Sequence, residues 1–238
     1  MTEKDVGIRR YDRLGTMRLI VTGATGLAGA EVLRQSFAND EIQKVTALAR
    51  RPLALTHPKL TTVVHGDFLN YDAALPQLSG HEACLWCLGV SQRDVDEPEY
   101  VRITRDYTLA GAAAMLQVNP GLTFGFLSGG GAKSTERSLL LFGRVKGQTE
   151  NRLGTLGLPR LYHFRPGYIE PSQPRAHPRF EERFFAPFSP LLHRLLPSSL
   201  ITSADLARAM IHVVTHGADQ RILDNLALRR IAHLAAKQ

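Results

Sequence analysis

The sequence predicts a doubly wound α/β domain: a parallel sheet covered by helices on both faces. Three observations carry that expectation. Continuous apolar runs alternate with stretches of helical spacing from Met17 to Phe164, the pattern of strands buried on both sides by crossover helices. The first run ends in a glycine-rich turn, Thr22-Gly23-Ala24-Thr25-Gly26-Leu27-Ala28-Gly29, which opens a helix. The chain has 238 residues, 44% hydrophobic and 21% charged, which suits one domain of ordinary size with a proper core.

The elements follow in order. MRLIVTG from Met17 is a buried strand, and GLAGAEVLRQSF after it has helical spacing. Val45–Ala49 and Leu60–His65 are the second and third strands. Tyr71–Leu78 is a short helix with a bend at Pro76. Ala83–Leu88 is the fourth strand. Tyr100–Val118 is a long helix with an alanine-rich face, stopped by Asn119-Pro120. Leu122–Leu127, Leu139–Leu156 and Arg160–Phe164 are a strand, a helix and a sixth strand. Beyond Pro166 the texture changes: residues 170–200 are rich in Pro and carry Phe180, Phe184, Phe185 and Phe188. Ser203–Thr215 is a capped amphipathic helix with Asp205 in its first turn, and Leu226–Ala236 is a last helix. The expected organisation is a tail over 1–16 and one domain over 17–238, with 170–200 a substrate lid.

Composition excludes several functions. Two Cys cannot make a disulfide framework or a four-thiolate metal site. Cys84-Leu85-Trp86-Cys87 lies inside a strand, so its thiols fall on opposite faces as small buried hydrophobes. The nine His are scattered, no metal site is expected, and His163 reads as a hydrogen-bonded core residue rather than a ligand or base. No apolar stretch reaches the roughly 20 residues that span a bilayer. The net charge of +7 is dispersed, without a basic run or a nucleic-acid motif. Neither nucleic acid nor membrane is expected as a partner. The polar start lacks a signal peptide's apolar stretch, so a cytoplasmic location is expected.

The glycine-rich turn carries the chemistry. Between a first strand and a first helix it has the context of a dinucleotide fingerprint. Gly23 permits the tight turn, Gly26 lets backbone approach a pyrophosphate, and Gly29 lets the helix pack on the strand. Thr25 and Leu27 complete the loop, and the helix N-terminus offers its N–H groups to phosphate. The second strand ends Ala49-Arg50-Arg51. An NAD site has an acid here; two guanidinium groups suit the 2′-phosphate of NADP. Asp67 can accept from the adenine amino group and Phe68 can shield the ring. Leu88-Gly89 ends the fourth strand, where a small residue lets a ribose lie on backbone.

Taken together, TGATGLAG, the ARR strand end, GDF, CLG, LSGGGA, VKGQTE and FRPG resemble, in order, the atypical and extended short-chain dehydrogenases. The chain is most similar to their NADPH-binding Tat-interacting oxidoreductase-like group. The resemblance covers about residues 17–170. It implies a Rossmann fold, NADP(H) at the strand ends, and redox chemistry on a carbonyl or alcohol. The family's catalytic set is a Ser followed by Tyr-x-x-x-Lys. Ser128 matches the Ser and would orient a carbonyl. Lys146 matches the Lys and would bond the nicotinamide ribose, with Pro166 beside it. The Tyr position holds Phe142, which has no proton to give. Tyr168 is the best substitute acid; Ser134 and Thr135 are poorer. Three readings stay open: reduction of a small apolar carbonyl compound by NADPH, with another acid or an ordered water; non-catalytic NADPH binding by a redox sensor or scaffold acting through a protein partner; or chemistry on a substrate whose product needs no protonation at that point. A small-molecule substrate, and a monomer or homodimer, are consistent with the resemblance.

Overall fold

The computed structural model describes residues 17–173 and 199–237. The tail over 1–16 and the Phe-rich body of the 170–200 lid lie outside the described residues. Seven parallel strands form the main sheet in the order β3-β2-β1-β4-β5-β6-β9. They are β1 (Met17–Thr22), β2 (Ile42–Ala49), β3 (Leu60–Val64), β4 (Ala83–Trp86), β5 (Thr123–Leu127), β6 (Arg160–Arg165) and β9 (Ile222–Asp224). The helices are α1 (Leu27–Ala38), α2 (Leu75–Leu78), α3 (Glu97–Val101), α4 (Tyr107–Val118), α5 (Leu141–Gly154), α6 (Ser203–His216) and α7 (Asn225–Ala235). The strand order reverses between β1 and β4, which opens a crevice at the strands' carboxyl ends.

Alternation of side chains along each strand divides the core. On one face Leu19, Val21, Ala83, Leu85 and Phe164 pack with Val32 and Leu33 of α1 and with Leu206, Met210 and Val213 of α6. On the other, Ile20, Cys84, Trp86, Phe124 and Phe126 pack with Ala112 and Met115 of α4 and Leu153 of α5. Both faces of the central strands are covered, which is why those strands read as unbroken apolar runs. Cys84 and Cys87 fall on opposite faces. Burial is the main reason the Cys87 thiol is pushed up to about 12, so neither is poised as a thiolate.

Several elements depart from the sequence reading. The long helix begins at Glu97 because Asp96 caps it: its Oδ1 accepts from the Glu99 N–H at 2.9 Å, and Pro98 sits in the first turn. One π-turn, Arg102–Asp106, interrupts it before α4. The helix expected over 71–78 shrinks to Leu75–Leu78. Thr202 rather than Ser203 caps α6, accepting from the Asp205 N–H at 3.0 Å. Three strands were not anticipated: β9, and a separate parallel pair, β7 (Tyr168–Glu170) with β8 (Leu200–Thr202). Each has three residues, too few to display a period. Asn225 ties the pair's base to the main sheet. Its Oδ1 accepts from the Gly167 N–H at 2.8 Å and its Nδ2 donates to the Leu200 carbonyl at 3.0 Å.

Candidate functional site

The turn between β1 and α1 is built on backbone contact. Gly23 has a φ of +65°, in the region that favours glycine. A Cβ on it would fall 2.4 Å from the Cys87 carbonyl oxygen, so the turn lies directly on the end of β4. A Cβ on Gly29 would fall 2.2 Å from the Gly23 oxygen, which is how α1 packs so near the strand. Gly26 is the N-cap of α1, and the first-turn N–H groups at Leu27, Ala28 and Gly29 have no partners within the helix. Thr22 Oγ1 accepts from the Leu88 N–H at 3.0 Å, clamping β1 to β4 beneath the crevice.

The crevice rim holds the other sequence-predicted groups. Arg50 and Arg51 are exposed at the end of β2, and Thr25 and Gly89 are exposed near the turn. Nothing lies within 4 Å of a Cβ placed on Gly89. Asp67 is exposed, and its Oδ1 accepts from the Leu69 N–H at 2.9 Å. Phe68 corrects its expectation. Its ring is 2% exposed and packs edge-on against Trp86 and Tyr71. That apolar cluster outcompetes solvent for the ring, so Phe68 can offer an adenine only its backbone.

The floor is formed by the loop after β5 and by α5. A cleft of about 500 Å³ among the described residues is lined by Leu27, Ser128, Gly129–Gly131, Phe142, Pro166, Gly167, Tyr168 and Ile169. Phe142 lies against the glycines: a Cβ on Gly129 would fall 2.4 Å from its ring. Lys146, one turn further along α5, is buried under the cleft. Its Nζ donates to the Leu127 carbonyl at 2.8 Å and sits 4.6 Å from the centre of the Phe126 ring. Burial is the main cause that lowers this ammonium to about 8, opposed by the nearby Glu150 carboxylate.

Sequence reasoning missed Glu150 and Arg165. Ser128 Oγ donates to Glu150 Oε1 at 2.5 Å. Arg165 grips the same carboxylate with both arms of its fork, Nε reaching Oε1 at 3.0 Å. Arg165 also donates to Ser134 Oγ at 2.8 Å. The signal for Glu150 was available: Phe142, Lys146 and Glu150 recur every four residues, hence on one helix face. His163 stands close by as an edge-on neighbour of Phe126. Burial lowers it to about 4, so it is a neutral core residue, but its buried Nδ1 has no hydrogen-bond partner where a hydrogen-bonded ring was expected.

No protein-family model matches the chain. It is 27% identical over 226 residues to Protein HTATIP2 of Rattus norvegicus, spanning 93% of this chain and 91% of that one. It is 27% identical over 199 residues to the mitochondrial protein fmp52 of Aspergillus fumigatus, 80% of this chain and 83% of that one. Its fold matches the Bordetella bronchiseptica enzyme WbmF, solved in complex with NAD+, at a TM-score of 0.63 and 13% identity, over 94% of this chain and 78% of that one. The chain is thus similar to HTATIP2 over nearly its whole length and shares the α/β fold of that solved structure.

Within that fold, the turn at Gly23–Gly29, the end of β4 at Leu88–Gly89 and the loop from Ser128 all open onto the sheet's carboxyl edge. Pro166 joins them, because its carbonyl accepts from the Gly130 N–H at 2.7 Å. Tyr168, 36% exposed, lines the same cleft as Ser128 and Phe142. At position 142, where the resemblance implies a phenol, the phenylalanine ring packs on Gly129 and Gly131. Among the described residues no helix is long and apolar enough to cross a membrane, and no group of three His, Cys, Asp or Glu could hold a metal.

Proposed function

We propose that the protein binds NADP(H) across the crevice and works on the redox couple of a small apolar carbonyl compound. The observation that carries the reading is the glycine turn: Gly23 and Gly29 have no room for a side chain, and the helix they start, with Leu27 on the cleft, has first-turn N–H groups suited to a pyrophosphate. Gly26, Thr25 and Leu27 would contact the phosphates. Arg50 and Arg51 would hold the 2′-phosphate, with Asp67 and the Phe68 backbone at the adenine. Leu88, Gly89, Lys146 and Pro166 would position ribose and nicotinamide. When bound, the nicotinamide supplies or accepts a hydride. The chain's own part is to hold the reacting carbon in the cleft, exclude water with Leu27, Phe142 and Ile169, and manage the proton at Ser128.

A second reading is favoured by one feature. Phe142 cannot donate a proton, and losing a general acid costs roughly 10²–10⁴-fold in rate. A site that keeps its cofactor but lacks its acid suits a nucleotide sensor that displays its surface to a protein partner. A cytoplasmic address belongs to the same proposal, with the mitochondrial names of fungal relatives as the alternative that cell fractionation would test.

Fluorescence titration with NADPH and NADH tests the shared core of both readings. Tight NADPH binding with weak NADH binding is expected; binding of neither would sink the cofactor reading. A panel of apolar ketones and alcohols then separates the two. Turnover that Lys146→Ala abolishes supports the enzyme. No turnover, with partner capture that changes on NADPH addition, supports the sensor.

A further inference from the structure

The Ser128–Glu150–Arg165 chain fixes which way the serine hydroxyl points. Glu150 is 3% exposed and held by the Arg165 fork, so it is an anion that only accepts. Ser128 has one hydrogen, and that hydrogen is committed to Glu150 Oε1 at 2.5 Å. Ser128 also lines the cleft, so it presents lone pairs there and no donor. The two neighbouring positions do not change this. Phe142 has no hydroxyl, and Lys146 lies beneath the wall, donating to the Leu127 carbonyl.

We infer that the cleft takes an apolar alcohol rather than a carbonyl compound, its O–H donating to Ser128 Oγ, with Glu150 behind the serine as the proton's destination. A carbonyl oxygen facing Ser128 would meet acceptor with acceptor. An alcohol completes the chain from substrate to Ser128 to Glu150. In the reaction the O–H bond breaks, Ser128 Oγ takes that proton, and the serine's own proton passes to Glu150 Oε1. The carbinol carbon loses its hydrogen with an electron pair to the oxidised nicotinamide, and the C=O bond forms. The relay does the work of the absent phenol at position 142. The inference rests on the proposed redox function for the reaction, but its ligand preference is a property of the Ser128–Glu150 pair and needs no cofactor. The cleft's walls at Leu27, Pro166 and Ile169 suit a hydrocarbon body.

The test uses the full chain with and without NADP+, and cyclohexanol and cyclohexanone as a matched pair, their affinities read by saturation-transfer NMR. Cyclohexanol is expected to bind roughly 10-fold or more tighter, the worth of one hydrogen bond backed by a charge. Ser128→Ala should erase the preference and Ser128→Thr should restore it. Glu150→Gln should invert it, because an amide N–H donated to Ser128 Oγ releases the serine hydrogen to the cleft; a merely structural glutamate predicts no inversion. If Glu150→Gln fails to fold, the serine pair still decides. Equal, reversed or absent preference in the parent overturns the inference, as does a preference lost in Tyr168→Phe but kept in Ser128→Ala. NADPH fluorescence on the same samples keeps the two readings apart. Alcohol preference without nucleotide binding sinks only the cofactor, and nucleotide binding without alcohol preference sinks only the relay.

Discussion

Gly23 and Gly89 lie in the turns that follow β1 and β4, and alanine at each should do opposite things. At Gly23 the new Cβ would meet three backbone atoms at once: the Cys87 oxygen at 2.4 Å, the Cys87 carbon at 2.6 Å and the Leu88 nitrogen at 2.8 Å. None can rotate away, so the turn must lift off β4. The left-handed backbone costs an L-residue about 1–2 kcal/mol, and the overpacking adds about 1–3 kcal/mol. A loss of about 3 kcal/mol corresponds to a fall of roughly 6–12 °C in melting temperature for a domain of this size. At Gly89 nothing lies within 4 Å of the added carbon, so the melt should not move. Its effect should fall on NADPH instead, where a methyl would stand between backbone and ribose and weaken binding by about 10-fold, the worth of ~1.4 kcal/mol. Thermal melts by circular dichroism and fluorescence titration read both variants. A Gly23→Ala protein that melts with the parent refutes the contact argument. A Gly89→Ala protein that binds NADPH normally removes Gly89 from the cofactor site.

Three further outcomes follow from the same geometry. Arg50→Ala with Arg51→Ala should weaken NADPH by roughly 10–100-fold, the worth of a charge-assisted bond, and leave NADH nearly unchanged; equal loss for both in fluorescence titration would contradict a 2′-phosphate site. His163 is held at about 4 by burial, against an ordinary value of about 6.5. The unfolded chain therefore binds the extra proton first, and stability present above about pH 6.5 is lost as pH falls toward 4. Urea denaturation should show the parent losing about 3 kcal/mol more than His163→Leu between pH 7 and 4; parallel loss in both proteins would refute it. Phe142→Tyr restores a phenol one turn before Lys146, and the ketone panel should then show reductase turnover above the parent. No gain, with NADPH binding intact, would mean the cleft no longer presents a substrate to that position.

The fold was legible where burial is two-sided. β1, β4 and β5 announce themselves because both faces are covered, so Leu19–Val21, Ala83–Trp86 and Phe124–Leu127 are unbroken runs without a polar side chain and no periodicity is needed. The glycine turn was legible because its spacing encodes backbone contact, and the Cβ distances at Gly23 and Gly29 are that contact seen directly. What stayed hidden depends on partners distant in the chain. β9 exists because β6 offers an open edge, and nothing in Ile222–Asp224 declares it. Phe68 read as a ligand contact because its neighbour Asp67 is polar; the aromatic cluster that claims it comes from Tyr71 and Trp86. The Ser128–Glu150 bond joins residues 22 positions apart, and only the docking of α5 on β5 brings them together. Helical spacing from Lys146 could have nominated Glu150, but not its serine.

The small β7–β8 pair has a consequence for how such a protein changes over time. Its strands are parallel, Tyr168 beside Leu200 and Glu170 beside Thr202, so β7 and β8 run in the same direction. A parallel connection must be long in any case. Its two ends are riveted together by Asn225, and by the Ser172 N–H donating to Ser203 Oγ at 3.0 Å. The two points where residues 174–198 join the described chain are therefore each fixed by hydrogen bonds of their own. Sequence change between those points need not break the bonds that anchor them.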